Sequence, residues 1–197
     1  MTVDIAPAAE ITAADRQRIY DALVARAATH GVKVEAKADA KRHGGGYYSR
    51  YDKKIGVTAE PEHTDTGLST LAHEVGHADF DQSMLGALVQ DPYARAAASL
   101  GGGIGGLITI VAEGSLARRM ALGMGAAAAL QVPLLTGEAM ASIKGHQMLE
   151  EHGASQQQLD LHKKQMLEAF GTYASHSAKG VGLAGAFAGL SHIVQKR

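Results

Sequence analysis

Leu71-Ala72-His73-Glu74-Val75-Gly76-His77-Ala78 is the stretch that decides how this 197-residue chain reads. It contains a complete H-E-x-x-H. With ten His and ten Glu in the chain, chance would supply about 0.025 such matches, so the motif carries weight before any context is added. On a helix, residues four apart share one face with Cβ atoms about 5 to 6 Å apart, which lets both imidazoles hold one zinc ion at about 2.1 Å. His73 and His77 are that pair. Glu74, one position on and rotated by about 100°, is turned away from joint ligation and toward the coordination position left for water, where it would act as general base. Gly76 is expected to leave room over the metal, and Thr70, Leu71 and Ala72 to keep the preceding turn small and apolar.

Composition narrows what can complete the site. The chain has no Cys, so thiolate ligands, disulfides and a cysteine nucleophile are excluded and a metal must be held by imidazoles and carboxylates. Lys and Arg total 19 against 20 Asp and Glu, a net charge of -1 that offers nucleic acid no basic footprint. Residues Met1 to Asp15 lack an apolar run behind a basic start and carry Asp4, Glu10 and Asp15, so the expectation is no secretory signal and a cytoplasmic protein.

Outward from the motif, residues 12–30 read as an amphipathic helix with Thr12 as N-cap, Asp15 three positions on, and a stop at Gly31. Val32 and Val34 alternate with Lys33 and Glu35 as a short strand. Gly44-Gly45-Gly46 reads as a turn, since no Lys-Ser/Thr pair follows to make a phosphate cradle, and Tyr47 to Val57 as a hairpin. The metal helix is predicted from Thr66 to about Met84. Beyond it lie two uncharged Gly/Ala stretches, Ala96–Ala112 and Met120–Gly137, each about 26 Å long as helix against a hydrocarbon core of about 30 Å. Gly101/Gly105 and Gly102/Gly106 permit close helix approach, and Val181–Val194 is a third such stretch. A packed soluble hairpin and a membrane hairpin both fit. A helix from Glu138 to about His152 closes on Gly153, and Ser155 with Gln158 opens another that reaches about Ser177.

A catalytic zinc needs a third protein ligand. Asp81 is nearest in sequence but lies about 12 Å from His73 along an unbroken helix, and Asp79 faces away. Glu113 sits in the connector at the far end of the Gly/Ala hairpin, whereas a chain that goes out and returns brings Glu138 back to the end occupied by His77. Glu138 is therefore favoured over Glu113, with Ser142 one turn on as a hydrogen-bonding partner for a ligand. Tyr173 serves packing or, near zinc, an oxyanion. The remaining histidines, His30, His43, His63, His146, His152, His162, His176 and His192, read as solvated or capping, with His63 of interest because it lies just ahead of the metal helix.

The chain resembles the neutral zinc metallopeptidases of the bacterial membrane-bound type 2 zinc-peptidase group over residues 66–178. Three ordered blocks carry the likeness: His73 to Ala78; Glu138-Ala-Met-Ala-Ser142 with Met148 to Gly153; and Thr172-Tyr173-Ala174. The resemblance implies Glu138 as third ligand and membrane segments between the first and second blocks. Ile143-Lys144 stands where the family carries a basic pair, and the intervening segments are less apolar than the family's.

Together these features predict an α+β, mostly helical zincin-like domain with a small antiparallel sheet and a Gly/Ala-rich helical hairpin. Its parts would be 12–95 with the sheet and metal helix, 96–137 the hairpin, 138–178 the third-ligand and long helices, and 179–197 a Gly/Ala-rich end. The expected function is a zinc peptidase acting on peptide or protein substrates, with His73, His77 and Glu138 as ligands and Glu74 as base. Lys54–Thr58 would be the edge on which substrate pairs. Arg118 and Arg119 in the loop opposite the catalytic side argue against a true span, so the chain is expected in solution, as an oligomer burying its GxxxG faces, with weak or conditional membrane association. The rival is a non-enzymatic structural or membrane-inserting protein with zinc absent or only bracing the fold.

Overall fold

The computed structural model describes residues 11–36, 40, 45–58 and 61–195; His43, Gly44 and the side chain of His192 lie outside the described residues. It is mostly helical with one small sheet, α+β at that coarse level. In order come α1 (Ala13–Thr29), β1 (Lys33–Ala36), β2 (Gly46–Ser49), β3 (Lys54–Val57), α2 (Asp65–Phe80), α3 (Met84–Val89), α4 (Pro92–Ser99), α5 (Gly101–Val111), α6 (Leu116–Glu151) and α7 (Gln156–Gln195). Contacts divide the chain into two compact units.

The first unit joins residues 1–82 to 140–166. Local chemistry sets its helix ends: Thr12 and Asp15 form a reciprocal capping box, and α1 closes on Gly31 at φ +69°, with Val32 N–H reaching the Ala27 carbonyl at 3.1 Å. Its core takes Ile19 and Leu23 from α1, Ile55 and Val57 from β3, Leu68, Leu71 and Val75 from α2, and Leu149 from α6. The sheet is mixed rather than antiparallel. β2 and β3 form the expected hairpin, but β1 pairs parallel to β3, and the order is β1-β3-β2. The order β1-β3-β2 puts β3 in the centre, so it cannot be the substrate edge. The metal helix is also shorter than predicted: Ser83 accepts a hydrogen bond from Gly86 N–H and starts α3, so α2 ends at Phe80.

Asp65, the first residue of α2, accepts from Arg16 Nε at 2.8 Å and Gln158 Nε2 at 3.0 Å, tying α1 and α7 to the helix. Burial alone would raise its carboxyl pKa, but the hydrogen bonds from Arg16 and Gln158 and the Arg16 charge outweigh it and hold it below 3.8. A depressed folded-state pKa stabilises the protein above the unfolded value, and that contribution disappears as pH falls through the folded value. Asp65→Asn is therefore expected to lower stability at pH 7 by about 1 kcal/mol and to flatten the loss of stability below about pH 4. Superimposable acid-unfolding curves for the two proteins would contradict this.

The second unit joins residues 83–139 to 167–197 and is built on small residues. Backbone meets backbone where Gly102 faces Gly180, while Gly105 lies against Gly123, Ala127 and Ala184. Gln131, buried in α6, donates to the Ala98 carbonyl and accepts from Ser177 Oγ. The predicted hairpin is altered in both arms. The first bends by 63° between α4 and α5. The second does not stop at Gly137: α6 continues through it and through Pro133 to Glu151, because Gly137 has none of the left-handed geometry of a helix stop and one interior glycine costs only about 1 kcal/mol. Likewise α7 opens on the Ser155/Gln158 capping box but runs past Ser177 to Gln195, absorbing the third Gly/Ala stretch. Among the described residues one helix, α6, is long and apolar enough to cross a membrane.

Candidate metal centre

Two glycines allow α2 and α6 to cross at backbone distance. A β-carbon on Gly76 would run into the Ala141 carbonyl, and one on Gly145 would stand 2.7 Å from the Ala72 carbonyl oxygen. Gly76 thus faces the neighbouring helix instead of opening space over a metal, which corrects the sequence expectation. The crossing sets Ser142 beside the motif, with its Oγ 3.3 Å from His73 Nδ1. A bond at Nδ1 fixes the ring and leaves Nε2 for a metal.

His73 and His77 stand one turn apart on α2 with ring centroids 4.7 Å apart and planes at 83°. His77 is 4% exposed and Glu74 7%. Glu138 is buried at 4% on α6. Glu138 precedes Ser142 by one turn on the same helix, α6. His73, His77 and Glu138 each offer one ligand atom, all within 4.8 Å of one another. Atoms spaced that far apart would lie at most about 2.8 Å from a central ion, so shifts of about 0.7 Å reach zinc bond lengths near 2.1 Å. Two imidazoles and a carboxylate suit zinc and also iron, cobalt or nickel. The donor set fits a divalent metal ion.

Behind the ligands lies a second layer that the sequence did not disclose. His162, expected to be solvated or capping, is 1% exposed. Its Nε2 lies 3.3 Å from the Ser142 carbonyl, which can only accept, so Nε2 carries the proton and Nδ1 accepts from Ser69 Oγ at 2.8 Å. Burial is the main reason its pKa falls to about 4; the hydrogen bonds to Ser142 and Ser69 oppose the fall and the nearby His73 and His146 add to it. A neutral imidazole therefore supports the residue that contacts His73. On the far side, Asp79 gathers Arg26, His30 and Lys144, the last at 2.6 Å, joining α1, α2 and α6.

The other candidates are placed elsewhere. Asp81 accepts from Tyr48 OH at 3.0 Å and pairs with Arg50 at 3.3 Å. Glu113 is exposed in the connector between α5 and α6. His63 lies in a 3-10 turn, 4.0 Å from Glu62, and Tyr173 is half-buried on α7 in the second unit. His146 stacks at 5.8 Å on His162, and the His152 carbonyl accepts from Arg18. Among the described residues, His73, His77 and Glu138 form the one group of three such side chains able to hold a metal. No protein-family model, curated protein or solved structure matches the chain.

Proposed function

We propose that the chain is a zinc-dependent peptidase of zincin type, hydrolysing peptide bonds of a peptide or protein substrate. The observation that carries this reading is the convergence of Glu138 with His73 and His77, with Glu74 next to one of these ligands in the chain and outside the group of three. Zinc bound there would polarise a carbonyl and let water lose a proton near pH 7. The chain's own residues supply the rest. Glu74, nearly excluded from solvent, takes that proton on a carboxylate oxygen and returns it to the departing amine nitrogen. Ser142 holds the His73 ring in the tautomer that ligates through Nε2.

The edge for substrate is β2 in place of β3. Among the described residues β2 has one partner in the sheet, and a β-carbon on its Gly46 would come within 3.2 Å of Glu74 Oε1. An extended peptide adding to the outer side of β2 would pair its main chain next to the base. The test is incubation of the zinc-loaded protein with a mixed peptide library, reading new termini by mass spectrometry. Cleavage that stops on chelation and returns with zinc is expected, and it should be absent in Glu138→Ala but retained in Glu113→Ala. No zinc-dependent cleavage from the loaded wild type would reject the peptidase reading.

One observation favours the rival: α6 is long and apolar enough to cross a bilayer. In a structural or membrane-inserting protein any zinc would brace the fold, so chelation would lower the melting temperature sharply, whereas an open catalytic site loses its metal with the fold intact.

A further inference from the structure

Residues 92–112 contain one charged side chain, Arg95, and residues 120–143 contain one, Glu138. The fold sets these two against each other: Arg95 Nη2 donates to Glu138 Oε1 at 3.0 Å. Arg95 is held in the first turns of α4, where the Asp91 side chain caps the helix, Pro92 opens it, and the Arg95 N–H reaches the Asp91 carbonyl at 3.0 Å. A carboxylate as buried as that of Glu138 is costly unless a cation or metal accompanies it.

The pair is lopsided. The Arg95 side chain is 40% exposed and that of Glu138 only 5%. A cation left half in water contributes little as a fold-stabilising ion pair, yet its hydrogen bond is well placed to aim a sheltered carboxylate. A carboxylate has two oxygens and about four lone-pair sites, so accepting from Arg95 does not bar Glu138 from ligation.

We propose that Arg95 is the positioning residue of the third ligand, holding the Glu138 carboxylate in the orientation in which it joins His73 and His77 to receive a divalent cation. This rests on the reading of that cluster as a metal centre. A guanidinium suits the task because its planar fork fixes the carboxylate in orientation, which a lysine ammonium does not.

The experiment titrates Zn²⁺ against a chromophoric chelator and Co²⁺ by its visible absorption, on wild type, Arg95→Ala, Arg95→Lys, Glu138→Gln and the Arg95→Ala/Glu138→Gln double variant, with melting temperatures alongside. Arg95→Ala is expected to weaken both ions by about 10- to 100-fold, with Arg95→Lys between it and wild type. In the Glu138→Gln background, Arg95→Ala should cause no further loss, because its effect passes through the carboxylate. An equal loss in that background would show that Arg95 acts through the fold, and unchanged or tighter binding by Arg95→Ala would show that it does not position the ligand. Each of these results overturns the proposal. If Arg95→Ala does not fold, wild-type affinity in Arg95→Lys overturns it instead. A wild type that takes up neither ion removes the metal centre itself, a failure distinct from the others.

Discussion

Glu74→Gln is expected to keep its full complement of zinc and to lose about 10²- to 10⁴-fold in peptide hydrolysis. The amide preserves the shape of the carboxylate and removes its ability to take a proton. Because Glu74 lies outside the group formed by His73, His77 and Glu138, metal content should be unaffected. The measurement pairs zinc analysis of the purified variant with its turnover of whichever peptide the wild type cleaves. Wild-type turnover in Glu74→Gln would end the proposed mechanism, while loss of the zinc would mean that Glu74 ligates or that the substitution disturbs α2.

Gly76→Ala should damage the protein where a helix-propensity argument expects benefit. Alanine favours an exposed helix interior by about 1 kcal/mol over glycine. At position 76, however, the new methyl would meet the Ala141 carbonyl, and backbone cannot move aside as a flexible side chain can. Overpacking of this kind costs about 1–3 kcal/mol or more. The helices must separate, carrying Ser142 away from His73 and Glu138 away from both histidines, so zinc affinity should fall at least about 10-fold. Gly103→Ala and Gly125→Ala are internal controls, since a β-carbon at either meets nothing within 4 Å, and both should bind zinc normally with equal or higher melting temperatures. Wild-type zinc affinity in Gly76→Ala would show that this close crossing does not set the site.

What could be read in the sequence was governed by local rules. Thr12 with Asp15 and Ser155 with Gln158 satisfy N–H groups within four residues, and both helices begin where those pairs predict. The spacing of His73 and His77 is likewise a property of one helix. Glu138 falls in the same cluster, although part of the reasoning toward it does not hold: α6 passes unbroken through Gly137, so Glu138 lies inside a helix and does not start one.

The features that escaped the sequence depend on a partner distant in the chain. Parallel pairing of β1 with β3, which sets β3 between β1 and β2, joins strands that no local motif in either one matches to the other. The packing role of Gly76 exists only once Ala141 is known to lie across from it. His162 looks like any surface histidine until Ser69 and Ser142 enclose it. Arg95 did leave a trace in composition, as a lone charge in an apolar run, and that trace acquires meaning beside the equally isolated Glu138.

β2 is four residues long, about 13 Å, and no further strand pairs with its outer side among the described residues. For a peptidase built this way, that length selects clients by their state of folding. The strands inside a native globular protein already have their main-chain donors and acceptors engaged, and they cannot be lent to another sheet without unravelling the domain. A nascent segment, a frayed terminus or a chain damaged beyond refolding has idle backbone to offer. Such an edge would leave intact proteins alone through no feature of their side chains, and would take the same polypeptide once it came apart.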